Sequence, residues 1–313
     1  MLHTQRLRLR PWMRSDAPPW RAQGVSRLLF RGVNAALSHY DRACDRVAAQ
    51  VIAEYSTSFS LATRLLGPAV RRDVRNLYAM ARIADEIVDG AGGSEKAALL
   101  DTYEASVRRA SATRFHTDPV LHAFANSARR CRFDDSHLEA FFASMRRDLT
   151  QRSYAPAEFE SYVYGSAEVI GLMCVNAFLA DAPVDADVRR ELDSGARALG
   201  SAFQKVNFLR DLGEDHNELG RTYFPRLIGR ELDDHAKAGL VAEIRSELAR
   251  AERAIALLPR SCRAGVAAAH AIFTELTNLI DATPAAALAS ARISVSNHRK
   301  LYLAARALGR HRG

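Results

Sequence analysis

The chain has 313 residues, 48% of them hydrophobic and 26% charged, which is enough to bury a sizeable core in one helical domain. Its formal charge of +8 sits mostly in residues 1–34, where seven arginines face a single acid, Asp16; the nearly neutral remainder excludes a basic nucleic-acid footprint on the body. Four cysteines without CxxC spacing (Cys44, Cys131, Cys174, Cys262) exclude a zinc knuckle or a disulfide framework, and the longest apolar run, Val169 to Ala180, falls short of the roughly 18 residues of a membrane span.

In chain order, residues 1–34 carry Arg6, Arg8, Arg10, Arg14, Arg21, Arg27 and Arg31, with Trp12 and Trp20 among Pro11, Pro18 and Pro19. They lack the continuous apolar core of a secretory signal and are expected to be a flexible basic extension, suited to touching an anionic membrane surface from the cytoplasm. From residue 35 onward apolar residues recur at three-four spacing, with no sustained alternation of the kind strands need. Helices are expected near 36–54, 58–66, 69–89, 95–112, 119–130, 136–150, 157–181, 186–218, 232–257, 260–281 and 285–308. Asp118-Pro119 and Thr283-Pro284 read as caps followed by a first-turn proline. Connections are short, so residues 35–313 are expected to form one all-α domain, a helical bundle around a central cavity.

Two polar stripes interrupt this apolar pattern. On the helix expected over 69–89, Tyr78, Arg82, Asp85 and Asp89 share one face. On that expected over 186–218, Gln204, Asn207, Asp211 and Asp215 follow at steps of three, four and four, with Arg210 beside them and Gly220 as a stop. Two carboxylates one turn apart repel unless a cation lies between them. Hard oxygen donors of this kind suit Mg²⁺, which binds through one or two carboxylates plus substrate phosphate oxygens. None of the ten histidines follows a glutamate at the spacing of a di-iron carboxylate bundle. Both acidic pairs are DxxxD, not the DDxxD of head-to-tail prenyl elongation.

The segments Tyr78-Ala79-x-x-Arg82-x-x-Asp85-Glu86-Ile87-x-Asp89 and Gln204-x-x-Asn207-x-x-Arg210-Asp211-x-x-Glu214-Asp215 resemble the two signatures of the squalene/phytoene synthase family. Ser58–Ala62, Met145–Leu149, Tyr164–Gly171 and Gly220-Arg221-x-Tyr223-x-Pro225 extend the resemblance over roughly 36–308, and their wording is closer to bacterial phytoene synthases than to squalene-type members. The resemblance implies an isoprenoid-synthase-type bundle and a prenyltransferase of carotenoid biosynthesis that joins two prenyl diphosphates head to head. It implies Mg²⁺, or Mn²⁺ in its place, on Asp85, Asp89, Asp211 and Asp215, with diphosphate contacts from Arg82 and Arg210. Gln204, Asn207, Tyr78 and Tyr223 are expected against the substrates, and Phe59 and Tyr164 as faces that stabilise carbocations. Asp148 and Arg146 are expected to support the site from a neighbouring helix. Arg299 and Lys300 are read as a solvated basic face. NADPH is not expected. Thr63, one turn beyond Phe59, is the expected determinant of chain length, small enough to admit two C20 chains; C15 substrates, as in squalene and dehydrosqualene synthases, and a non-catalytic assembly factor are the competing readings.

Overall fold

The structure, a computed structural model, describes residues 19–90, 92–213, 221–288 and 292–311, with side chains from residue 35 to 310. Asp215, Glu214 and the extension's side chains lie outside the described residues. Residues up to Arg42 cluster separately from Ala43–Gly313. The helix expected from residue 36 begins earlier: α1 spans Pro19–Tyr55, opening on a proline whose fixed φ suits a first turn.

Helix then follows helix, as the periodicity demands: α2 (Thr57–Thr63), α3 (Pro68–Asp89), α4 (Lys96–Arg109), α5 (Pro119–Cys131), α6 (Asp135–Asp148), α7 (Pro156–Val163), α8 (Val169–Leu179), α9 (Ala186–Arg210), α10 (Asp234–Ile255), α11 (Arg260–Ala282), α12 (Ala285–Leu288) and α13 (Asn297–His311). The starts are chemically marked. Side chains of Ser56, Asp118, Asp134, Asp185 and Asp233 each accept from a first-turn N–H, and Pro68, Pro119 and Pro156 occupy the first turn. Each such cap contributes about 1 kcal/mol. Among the described residues no strand forms; a single parallel bridge joins Ser153 to Thr222.

Two boundaries differ from the periodic reading, and the helix expected over 157–181 forms. Helix α9 ends at Arg210 with Asp211, at φ −102° and ψ 13°, as its cap; helical backbone resumes at residues 212–213, and the rest of the stretch expected to run to 218 lies outside the described residues. The helix expected over 285–308 is broken: α12 stops at Leu288, residues 292–296 form no helix, and α13 starts at Asn297. A π turn, Tyr164–Glu168, joins α7 to α8, so Pro156–Leu179 forms one continuous helix, long and apolar enough by length and composition to cross a membrane. The expectation from the shorter run 169–180 missed this. Half of its most apolar window is buried inside the protein, including Tyr162, Val163, Val169 and Met173.

Two main cores flank the middle of the molecule. One gathers α7, α9, α10, α11 and the segment after Arg221 around Tyr162, Phe208, Tyr223 and Phe273. The other gathers α3–α6 and α8 around Leu77, Met80, Phe142 and Met173. Helix α9 is held close to both neighbours by glycines. A Cβ on Gly171 would lie 2.6 Å from the Ala196 carbonyl oxygen, and one on Gly195 would lie 2.1 Å from the Ala254 Cβ. Both distances are far inside van der Waals contact, so only glycine permits this approach.

Candidate active site

Between the two cores lies a cavity of about 1000 Å³, lined by α2, α3, α6, α8, α9, α11 and the segment 292–295. Both polar stripes face it. From α3 come Tyr78, Arg82, Asp85 and Asp89; from α9 and its cap come Gln204, Asn207, Arg210 and Asp211. Phe59 and Tyr223 also line it.

The α3 half is a preformed ion-pair network. Arg82 pairs with Asp85 one turn ahead and with Glu86 at 2.8 Å, and its guanidinium lies 4.2 Å from the Tyr55 ring centroid. Burial pushes the Asp85 carboxyl up to about 6, reinforced by Asp89 and Glu86 and opposed by Arg82. Its side chain keeps 40% of its surface accessible, but that surface faces the cavity rather than bulk water. Asp89 is met by Arg221 at 2.7 Å. Arg221 is buried and also donates to the Asp148 carbonyl oxygen (2.8 Å) and the Tyr223 hydroxyl (3.2 Å). Burial disfavours its charge, yet Tyr223, Asp89 and Asp148 together outweigh that and raise its pKa.

The α9 half is assembled from several segments. Asp211 accepts from Arg210 and, at 2.9 Å, from Nε of Arg292 in the stretch between α12 and α13. The Oδ1 of Asn207 is buried without a partner. A lone buried amide oxygen is costly unless a cation, water or ligand reaches it. Lys300, on α13, lines the same cavity and donates to the Thr57 hydroxyl at 2.6 Å. The solvated-face reading therefore holds for Arg299, which pairs with Glu275 at 2.8 Å in solvent, and fails for Lys300.

Behind the charged rim the wall is aromatic. Phe59 packs against Tyr78, Phe203 and Phe273 with centroids 6.2, 5.7 and 5.5 Å apart, and Phe203 stacks on Phe273 at 3.8 Å. Tyr223 stacks on Phe208 at 4.0 Å. Tyr164 does not join them. It packs into the second core, with the Arg197 guanidinium 5.3 Å from its ring centroid, and is absent from the cavity wall. Tyr162 and Ser166 face the cavity instead. Tyr164 is two residues from each, and side chains two apart on a helix point to different sides.

Tyr162 was not a sequence candidate, and it brings Asp148 with it. Its hydroxyl donates to Asp148 Oδ2 at 2.8 Å, while Tyr154 reaches Oδ1 at 3.3 Å. Burial raises the Asp148 carboxyl to about 7, against the opposing pull of Arg221 and of the Tyr162 hydrogen bond. Arg146, expected beside it, instead pairs with Asp101 (2.7 Å) and Glu104 on the exposed side of α6. Arg221 stands inside a quoted motif and was legible there. Arg292 carried no local signal.

Among the described residues no three acidic, histidine or cysteine side chains converge on one point, since each carboxylate is held by arginine. The donor set nevertheless fits an oxygen-preferring divalent ion, because the side chains of Asp85, Asp89, Asp211 and Asn207, which line one cavity, carry hard oxygens, and the Asn207 Oδ1 is unpartnered.

The family model described as Squalene/phytoene synthase matches residues 52–299. The chain is similar to "Phytoene synthase 3, chloroplastic" of Zea mays (34% identity over 56% of this chain and 41% of the relative) and "Phytoene synthase 1, chloroplastic" of Arabidopsis thaliana (33%, 66% and 47%). The match thus spans less than half of either plant protein. It is also similar to the "15-cis-phytoene synthase" of Synechococcus elongatus, at 29% identity over 74% of this chain and 82% of the relative. Among solved structures, a dehydrosqualene synthase superposes with TM-score 0.68 (23% identity; 87% of this chain, 98% of that one), and a squalene synthase from Alicyclobacillus acidocaldarius with 0.65 (22%; 77% and 94%). At those identities the likeness establishes the fold.

Proposed function

The chain belongs to the squalene/phytoene synthase family, and from that premise we propose that it joins two C20 prenyl diphosphates (geranylgeranyl diphosphate) head to head into phytoene, by way of a cyclopropyl diphosphate. The observation that carries this reading is the pair of arginine-matched acidic stripes on a single aromatic-walled cavity. Asp85, Asp89, Asp211 and the Asn207 amide oxygen would hold Mg²⁺, as would Asp215, which lies outside the described residues. Bound there, Mg²⁺ draws electron density from a departing diphosphate.

The chain's own groups do the rest. Arg82, Arg210, Arg292 and Lys300 present charged N–H donors to phosphate oxygens, contacts about twice as strong as neutral hydrogen bonds. The rings of Phe59, Phe203 and Phe273 wall the apolar side, stabilise an allylic cation by roughly 0.5–2 kcal/mol each and keep water off it. For the closing deprotonation, Tyr162 Oη takes the proton from the hydrocarbon cation as its own proton passes to Asp148 Oδ2. A carboxyl raised to about 7 is basic enough to hold that proton.

Substrate length is supported by the run of α9. Leu192, Gly195, Leu199, Phe203 and Asn207 all line the cavity at three-four spacing. From Asn207 to Leu192 the helix rises about 22 Å at about 1.5 Å per residue. An extended chain advances about 1.2 Å per backbone bond, so a C20 tail spans about 19 Å and a C15 tail about 14 Å. Thr63 lines the cavity too, with its hydroxyl held by Ser60 O and Arg75 Nε, but the wall continues past it to Leu66, Phe178 and Leu258.

Purified full-length protein incubated with Mg²⁺ and C15 or C20 diphosphates, with and without NADPH, tests the reading. Phytoene from the C20 substrate, independent of NADPH, is the expected product. No hydrocarbon from either substrate would overturn the enzyme reading, and product from C15 alone would overturn the length assignment.

A further inference from the structure

Tyr162, Ser166, Ile170, Cys174 and Phe178 all line the cavity, at steps of four along the continuous helix Pro156–Leu179. A straight α-helix turns about 100° per residue, so four such steps would carry Phe178 roughly 160° round from Tyr162, to the far side of the helix. The π turn Tyr164–Glu168 removes that conflict. It takes one extra residue into the turn and so gives back about 100°, which keeps both ends of the helix on one cavity. Tyr162, near the start, is the residue bonded to Asp148, and Phe178, at the end, belongs to the wall beyond Thr63.

A π turn is rarer and less favourable than an α turn, and it persists where its surroundings hold it. Here two helices do so. From α6, Ser144 Oγ donates to the Tyr162 carbonyl oxygen at 3.1 Å. A Cβ on Gly165 would fall inside van der Waals contact with that same hydroxyl and with the Ala140 carbonyl oxygen. From α9, Gly200 comes so close that a Cβ there would lie 2.7 Å from the Ala167 carbonyl oxygen. Arg197, on the same helix, touches both ends of the turn. Its Nε donates to Glu168 Oε2 at 2.6 Å, and its guanidinium lies 5.3 Å from the Tyr164 ring centroid. We infer that Arg197 is a positioning residue for the closing deprotonation. By clamping Tyr164 to Glu168 it keeps the turn wound as π, and so keeps Tyr162 against the hydrocarbon cation while Phe178 meets the tail. Arg197 itself lies outside the cavity wall, with its side chain 54% exposed. The inference rests on the prenyl diphosphate reading and on Tyr162 as the group that takes the last proton.

The two halves of the reaction can be counted apart. One diphosphate and one proton leave as two C20 chains join into the cyclopropyl diphosphate. The second diphosphate leaves as that intermediate ionises, and loss of a second proton gives phytoene, so completed turnover releases two diphosphates per phytoene. Full-length protein with Mg²⁺ and C20 diphosphate, with both products counted, tests the inference. Wild type is expected to give that ratio of two. In Arg197→Gln, misplacement of Tyr162 should lower phytoene formation about tenfold while release of the first diphosphate stays within about twofold, so the ratio rises well above two. Arg197→Lys, which keeps a cation beside Glu168, should recover most of the loss. Melting should stay close to wild type, because an exposed ion pair contributes little. A readout that needs no turnover is amide hydrogen exchange over residues 164–169, expected to quicken in Arg197→Gln and to return in Arg197→Lys. The clamp is overturned if exchange there is unchanged, if Arg197→Gln keeps the ratio of two at the wild-type rate, or if both diphosphate releases fall together. A wild type that makes no hydrocarbon, with exchange responding as expected, overturns the prenyl diphosphate reading instead and leaves the clamp without its role.

Discussion

The two acidic stripes share a spacing and differ in how they are held. On α3, Tyr78, Arg82, Asp85 and Asp89 sit on unbroken helix, and Arg82 neutralises Asp85 from within the same turn. On α9, Gln204 and Asn207 sit on helix, but Asp211 is the cap, held by its neighbour Arg210 and by Arg292 from a segment some eighty residues on. One half lies on unbroken helix, and its last carboxylate, Asp89, is met by the buried Arg221 from a segment some 130 residues on. The other is an edge completed by distant chain, and its last expected carboxylate, Asp215, lies outside the described residues. An equal spacing of carboxylates therefore does not imply equal burial of the arginines that answer them: Arg221 is buried and Arg292 is exposed.

The sharpest test of that contrast removes one carboxylate from each half. Asp85→Asn and Asp211→Asn are each expected to lower turnover at least about 10³-fold while helical content stays constant. Near-normal diphosphate release in either variant would mean that the halves do not act as one clamp. Arg221→Ala comes next. It removes a buried cation from Asp89 and should cost about 3–5 kcal/mol in denaturant unfolding; a loss under about 1 kcal/mol would show Asp89 already satisfied from the cavity. Leu192→Phe is expected to shift the C20-over-C15 preference at least about tenfold toward C15, measured as a ratio of kcat/KM. If Thr63→Phe shifts it and Leu192→Phe does not, the chain is measured along α2 instead of α9.

The pH dependence of stability separates buried acid from paired acid. The folded-state pKa values of Asp85 and Asp148, about 6 and about 7, lie above the 3.8 of an unperturbed aspartate because burial penalises their charge. The folded chain then holds protons that the unfolded chain has released, so their contribution is complete below about pH 4 and is lost as pH rises toward 7. Thermal melts across that window should show this decline, and Asp148→Asn should flatten it. Smallest of all, Arg292→Ala should change stability by less than about 1 kcal/mol, because its side chain is 62% exposed, while raising KM for the diphosphate severalfold. A large loss of stability there would put the α9 edge on a par with the α3 half.

How much of this was legible before the fold was known follows from the range of each signal. The α3 stripe was legible in full, because helical spacing alone puts four residues on one face. Gln204 and Asn207 were legible for the same reason. The break at Asp211 was not, since the pattern of apolar residues runs through it without interruption. Tyr162 was not legible because it lies two residues before the Tyr164–Gly171 segment, and the sequence does not say which side of a helix meets the cavity. Arg292 was invisible, lying where an unbroken helix was expected.

By itself the chain's sequence determined the helical class, the starts of most helices and the two carboxylate stripes, because caps, prolines and three-four periodicity act within a few residues. Only the tertiary structure decided which tyrosine faces the cavity, which arginine answers which aspartate and how far the tunnel runs along α9. Those outcomes depend on packing between segments far apart in the chain, where glycine contacts such as Gly171 on Ala196 and Gly195 on Ala254 set the approach of the helices, and no local pattern encodes a distance across a cavity.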